Sequence, residues 1–293
     1  MEINYAGKPE NTNLPFFAYG IFKPGQIAFY QIKKFCEEIS PENAKYEMRY
    51  RDGVAILCGV KNEFFRTKGY LIYFDDHSDE AYMKIGNSEP EELYEWAEID
   101  IGGKTANALI GKNPLSGSFN NREYTLSNYD YRKDSFFNEA RILIGECIEK
   151  YKQITNITMR DFFIIQMHYM LLWSVIERFC TLKYGYRLIG ANKFRFAKER
   201  VFKEKLKEID YEDVAYSSDR LDKKELNPFD YESIEYYYTI RCNVVHRGKS
   251  VSMEDKEKLK FALEDLYGLF EAVYLETLRR NDLELRRFDF NSP

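Results

Sequence analysis

Histidine is scarce in this chain: His77, His168 and His246 are the only three among 293 residues. Cysteine is scattered singly at Cys36, Cys58, Cys147, Cys180 and Cys242, with no Cys-x-x-Cys pair. Structural zinc needs thiolate and imidazole ligands at close spacing, so no metal is expected, and no cofactor motif is present. Unpaired cysteines fit a reducing compartment. Long hydrophobic runs are missing too. Phe162 to Ile176 is the longest, is interrupted by Gln166 and His168, and falls short of the roughly 20 residues a membrane span needs. Met1 to Pro15 is polar and lacks the apolar core of a secretion signal. A soluble, cytoplasmic protein without membrane contact is therefore expected. Nor is there an excess of positive charge: the net charge is −5. Nucleic acid, if bound, must be bound by a local patch.

Apolar and aromatic mass is plentiful. Hydrophobic residues make up 44% of the chain, with 24 Tyr and 22 Phe. That composition excludes a disordered chain. The length fits about two domains of roughly 100–200 residues each.

The pattern changes near residue 115. Before it, short apolar runs alternate with turn residues. Strands are predicted over 14–22, 54–60, 69–74, 95–101 and 105–110, punctuated by Asp52-Gly53, Lys61-Asn62, Asp75-Asp76 and Gly102-Gly103. Helices are predicted over 26–38 and 79–85. Five strands with two minor helices predict a small, mixed, barrel-like α+β domain over 1–114. Residues 115–130, rich in Ser, Gly and Asn, read as a linker. From 131 to 293 the apolar spacing is helical, with helices predicted over 135–154, 160–184, 194–209, 231–246 and 253–280. Thr158 or Arg160–Asp161 starts the second and Gly185 stops it, while Gly248 follows the fourth and Ser252 with Asp255 resembles a capping box for the last. The expected fold class is thus two-domain α+β: a mixed β-barrel-like domain, then an all-α helical bundle.

Two segments carry chemistry. In the first, Tyr19-Gly20-Ile21-Phe22-Lys23-Pro24-Gly25, a strand ends at a Gly and turns into a predicted helix. Backbone amides gathered in this way can hold an anion, although the same pattern also makes an ordinary turn. In the second, Glu235 to Gly248, a predicted helix carries Arg241 and ends at His246. A helix C-terminus favours the imidazolium, and Arg supplies a permanent, forked cation suited to phosphate. An Arg and a His suffice for metal-free RNA cleavage: the His moves the proton and the Arg stabilises the charged phosphorane. The pair is five residues apart, about 140° around an ideal helix. A frayed helix end or a two-fold dimer could reunite them. The bland alternative is an Arg paired with a carboxylate and a His that caps the helix.

Around both segments the chain resembles known families. Residues ~14–112 resemble the gamma-glutamylcyclotransferase-like family, through Tyr19 to Gly25, Gly69 to Phe74, and Ile85 to Pro90 followed by Tyr94. That resemblance implies a pocket built from Tyr19, Gly20, Ile21, Phe22, Glu89 and Tyr94. Glu89 would move the proton that frees a γ-glutamyl amine to form 5-oxoproline. The sequence departs from the family pattern at Ile21, Phe22 and Pro90, and Glu91 and Glu92 crowd the position. A degenerate domain with Glu89 as an exposed loop carboxylate is the alternative.

Residues ~130–285 resemble the HEPN family, especially its Apea-like branch, through Arg241 to Gly248 and the long helix Phe162 to Gly185. This implies a helical bundle, a homodimer and, in active members, an endoribonuclease with Arg241 and His246 as the catalytic pair. The polar residue usually next to the Arg would be Asn243, displaced by Cys242. A toxin–antitoxin or antiviral-defence setting, with a restraining partner, comes with the resemblance.

Glu177, on the nearly all-round apolar helix Phe162 to Phe179, could orient Arg241 or His246, or simply pair with Arg178 or face solvent. His168 reads as a satisfied core or interface residue and His77 as part of an exposed turn. Between Arg187 and Lys207, basic residues interleave with Phe194, Phe196 and Phe202. Lys193, Arg195, Lys198 and Arg200, with Arg247, are candidate RNA contacts. A solvated basic face whose phenylalanines point into the core is the alternative. The expected function is a HEPN-type ribonuclease with an N-terminal ligand-sensing or scaffolding domain. The rivals are a γ-glutamyl cyclotransferase dimerised by its helical half and a non-catalytic interaction protein.

Overall fold

The computed structural model describes residues 4–51, 54–112, 135–185, 189–217, 222–246 and 253–287. They fall into two compact units. The first holds the described residues up to 112 with 182–185 and 279–287; the second holds 135–181 and 189–278. The expected linker, 115–130, lies outside the described residues, as do Arg187, Arg247, Gly248 and Ser252.

The first unit is built from strands β1 (Phe16–Ala18), β2 (Cys36–Ala44), β3 (Tyr46–Arg51), β4 (Val54–Lys61), β5 (Thr67–Phe74), β6 (Tyr94–Ile101) and β7 (Lys104–Gly111), with helix α1 (Ser78–Gly86). Five strands form a mixed sheet in the order β2-β5-β1-β7-β6. Short β1 sits at its centre, antiparallel to β5 (Phe17 opposite Leu71) and parallel to β7 (Phe16 opposite Asn107). It is apolar throughout and buried on both faces, as a central strand must be. Strands β6 and β7 meet at Gly102 and Gly103, with φ of +61° and +87°. Two successive left-handed residues make the tight hairpin turn whose twist matches the strands, which is why two glycines stand there.

The mixed α+β character holds, with two corrections. The sheet is open, with β2 and β6 at its edges, and β3 and β4 pair as a separate hairpin. The helix expected over 26–38 is two short 3-10 turns, Ile27–Gln31 and Lys33–Phe35, after which the chain becomes β2. The apolar residues that suggested the helix, Ile27, Phe29, Ile32 and Phe35, are buried all the same. Pairing with β5 takes the rest, with Ile39 opposite Ile72. Sheet hydrogen bonds outweigh a modest local helix preference.

The second unit is mainly helical: α2 (Ser135–Tyr151), α3 (Met159–Tyr184, whose last turn groups with the first unit), α4 (Ile189–Ala197), α5 (Arg200–Leu206), α6 (Ile234–His246) and α7 (Met253–Arg287, whose end does likewise). Helix α3 starts on a reciprocal cap: Asp161 N donates to Thr158 Oγ1 at 3.2 Å, and Thr158 N to Asp161 Oδ2 at 3.2 Å. It ends just before Gly185. Its buried side, Phe162, Ile165, Tyr169, Leu172, Trp173, Ile176 and Phe179, forms the heart of this unit. Phe179 meets Phe270 of α7 edge-on at 5.8 Å.

This unit is not all-α. Strands β8 (Asp213–Tyr216) and β9 (Lys223–Leu226) form a hairpin between α5 and α6. The helix expected over 194–209 is also broken. Glu199 adopts φ −57°, ψ +137°, an extended conformation that separates α4 from α5. No helix among the described residues is long and apolar enough to cross a membrane.

Candidate functional site

In the first unit, the six residues implied by the cyclotransferase-like resemblance line one cavity. Tyr19, Gly20, Ile21 and Phe22 follow β1, Glu89 follows α1, and Tyr94 opens β6. The loop after β1 is folded by its own backbone, with Lys23 N donating to Gly20 O and Ala28 N to Ile21 O, both at 3.2 Å. Both phenols are already engaged: Tyr19 Oη donates to Leu109 O at 2.7 Å and Tyr94 Oη to Ala55 O at 3.1 Å. Phe16, Ile21, Phe22 and Leu109 make the walls largely apolar, and the volume is about 30 Å³, room for one water.

Glu89 is the acidic group of this cavity. The residue keeps some contact with solvent, but dense protein surrounds its carboxyl, and burial pushes the carboxyl up to about 8. Glu91 and Glu92 are exposed, so among the three neighbouring glutamates only Glu89 faces the cavity. The exposed-loop alternative for Glu89 is corrected: a clamp holds the segment inward. Ala6 N donates to Glu89 O, and Glu91 N to Asn4 O, both at 3.0 Å. A Cβ on Gly86 would lie 1.5 Å from Gly7 O, so only glycine lets these segments approach. Trp96 Nε1 donates to Gly7 O at 3.0 Å and completes the clamp.

In the second unit, α6 buries Ile234, Tyr236, Tyr237 and Ile240, which leaves Glu235, Tyr238 and Arg241 along another stripe. Arg241 Nη2 lies 3.7 Å from Glu177 Oε1 of α3, an ion pair longer than a hydrogen bond, and the Arg241 side chain is 25% exposed. Its guanidinium carbon is 5.7 Å from the centre of the Tyr238 ring. Arg241 Nε and Asn243 Oδ1 are buried polar atoms without a hydrogen-bond partner among the described residues. Asn243 Nδ2 donates to Tyr216 O of β8 at 2.8 Å, so its amide holds the hairpin. The backbone of His246 closes α6 as its last helical residue; its side chain lies outside the described residues. Because α6 stays helical to this point, fraying does not remove the angle between Arg241 and His246. His168 is half-buried, with Nδ1 2.7 Å from Ile164 O, and His77 is exposed.

The basic segment divides. Lys193 is only 4% exposed, and its ammonium is 2.7 Å from Glu235 Oε1, which removes it from the candidate RNA contacts. A buried ammonium must be paired, and the sequence offered Glu235 no nearer than 42 positions away. Phe196 and Phe202 are buried against each other at 5.3 Å, so neither can stack on a base. Arg195 is half-buried; Lys198 and Arg200 are exposed, Arg200 being paired with Glu204 at 2.7 Å.

One cavity was not foreseen. It has a volume of about 500 Å³ and is lined by Glu149 of α2, Glu208 and Asp210 after α5, and Glu264 and Asp265 of α7. Burial pushes Asp265 up to about 6, partly offset by the hydroxyl that Tyr211 donates to it. Three distant segments build this feature, so no local pattern could announce it. Among the described residues no three His, Cys, Asp or Glu side chains gather to hold a metal ion.

The chain matches no protein-family model, and its comparison with curated proteins and with solved structures finds no match. The class defined by the fold is a two-unit α+β protein, a mixed-sheet unit followed by a mainly helical one.

Proposed function

We propose that this protein is an endoribonuclease that cleaves RNA without a metal and acts as a homodimer through Arg241 and His246. The observation that carries the reading is the state of Arg241: a part-exposed guanidinium with an unpartnered Nε, held by a long ion pair to Glu177 at the end of α6 that bears His246. In the reaction the 2′-oxygen attacks the adjacent phosphorus and the 5′-oxygen leaves, giving a cyclic phosphate and a 5′-hydroxyl. His246 would exchange the proton, and Arg241 would stabilise the extra charge on the phosphorane. One chain keeps the pair about 140° apart. A second copy is therefore part of the proposal. Phe163 and Met167 support it, at 54% and 62% exposure, because they stand one turn apart on α3, the helix that carries Glu177. The HEPN resemblance brings a toxin or antiviral-defence setting with it.

The test is cleavage of labelled single-stranded RNA in EDTA by the wild type, His246→Ala and Arg241→Ala, at equal folding and oligomeric state. Cyclic-phosphate ends are expected, with loss of about 100-fold or more in either variant. No cleavage of a mixed cellular RNA pool by the wild type would overturn the proposal.

A second reading belongs to the first unit, because Glu89 is a carboxyl raised towards neutrality in an apolar cavity, the condition for general acid–base work. Its ligand would be a γ-glutamyl group, either cyclised or simply sensed. At about 30 Å³ the cavity admits one water. Entry therefore requires a wall such as Phe22 to move. Release of 5-oxoproline from γ-glutamyl amines, lost in Glu89→Gln, would identify cyclisation. Binding without turnover would identify sensing.

A further inference from the structure

Lys193 is a buried charge against the same Tyr238 ring as Arg241. Its ammonium rests 3.7 Å from the centre of the Tyr238 ring and 2.7 Å from Glu235 Oε1. Glu235, Tyr238 and Arg241 are three residues apart in turn on α6, so the cluster runs along one helix stripe. The Tyr238 ring is further fixed by Trp173 of α3, edge-on at 5.4 Å. On the same ring lies the Arg241 guanidinium, at 5.7 Å. The only ion pair of Arg241 among the described residues is the 3.7 Å contact with Glu177, too long to fix an orientation. The Tyr238 ring is therefore a second constraint on that guanidinium, beside the Glu177 carboxylate.

We propose that Lys193 is a positioning residue that orients Arg241 through the Tyr238 ring. This rests on the ribonuclease reading for its effect on turnover, but not for its effect on Arg241. Glu235 anchors the ammonium, and the ammonium holds the ring by its π face. The ring and Glu177 then set the direction of the guanidinium. A cation that only had to stay soluble would sit in water; this one stays buried where its charge acts on one aromatic ring and one carboxylate.

The experiment compares wild type, Lys193→Met, Lys193→Arg and the double variant Lys193→Met/Glu235→Gln. The double variant replaces the buried pair with neutral groups of similar size, so folding survives even if the single change leaves Glu235 unpaired. Two quantities are measured: kcat and KM for single-stranded RNA, and the Nε–H NMR resonance of Arg241, identified by its absence in Arg241→Lys. In folded Lys193→Met or double variant, kcat is expected to fall about tenfold with KM within about twofold, as misorientation of one group predicts. The Arg241 resonance moves, and Lys193→Arg restores both. A folded double variant with wild-type kcat, or with an unmoved Arg241 resonance, overturns the proposal. If the wild type cleaves no RNA, the ribonuclease reading falls, and the resonance alone decides this one: unmoved overturns it, shifted supports it.

Discussion

Glu89 and Lys193 are two charged residues whose surroundings decide their chemistry. Glu89 has its carboxyl raised from 4.5 to about 8 by burial. The folded state therefore holds a proton that the unfolded chain releases between these values. Its contribution to stability is fully present below about pH 4.5 and is lost as the pH rises through about 8. Denaturation by urea at pH 5 and pH 8.5 should show wild type losing more stability at the higher pH than Glu89→Gln. Equal losses would mean that the carboxyl is already ionised at neutral pH. Glu89 was singled out by the family resemblance of Ile85 to Pro90, with Glu91 and Glu92 as neighbouring candidates; its inward direction was not legible, because the segment 4–7 that clamps it lies some 80 residues earlier. Lys193 shows the converse. Its basic neighbourhood pointed to solvent, and only the meeting of α4 with α6 turned it to Glu235 and Tyr238.

Elements were legible where their residues match their surroundings. Strands β4 to β7 and helices α1, α2, α3 and α6 lie within a few residues of the expected ranges, while α7 starts where expected and runs about two turns further, to Arg287. Strand β2, CEEISPENA, was missed because an edge strand keeps polar residues and shows little alternation. Strand β3, YEMRYR, does alternate, with Tyr46 and Met48 buried between Glu47 and Arg49, and its signal was legible but short. The join between α1 and the clamp makes a sharp prediction. Gly86→Ala would place a Cβ 1.5 Å from Gly7 O, which is backbone and cannot rotate away. The expected cost is about 2 kcal/mol, or a Tm lower by roughly 10 °C, measured by thermal denaturation. Trp96, bonded to Gly7 O, should report the displaced segment by a shifted fluorescence maximum. Gly20→Ala, with nothing within 4 Å, serves as the unaffected control for stability.

Assembly belongs to the whole molecule. Phe163 and Met167 leave an apolar patch exposed on α3, while the buried side of that helix already fills its unit. A helix that is apolar on more than its buried side thus has more apolar surface than one core consumes. Placing a carboxylate at either residue, as Phe163→Glu or Met167→Glu, is expected to leave the fold and Tm close to wild type. It should halve the mass measured by light scattering and, with the dimer gone, abolish RNA cleavage. A wild type that is already monomeric would remove the basis for uniting Arg241 with His246 across two chains.

By itself the amino-acid sequence determined the local preferences: apolar alternation for the strands, helical spacing beyond residue 135, the Thr158–Asp161 cap, and the paired glycines of the β6–β7 turn. These depend on neighbours within a few residues, where backbone sterics and side-chain periodicity act. The tertiary structure decided what depends on distant partners. It opened the sheet, inserted β8 and β9, converted the segment after Pro24 into 3-10 turns and a strand, and buried Lys193. It also gathered residues 19–22, 89 and 94 around one cavity. Burial and ion pairing are properties of the packed whole, so the protonation of Glu89 and the orientation of Arg241 are set only once the chain has closed around them.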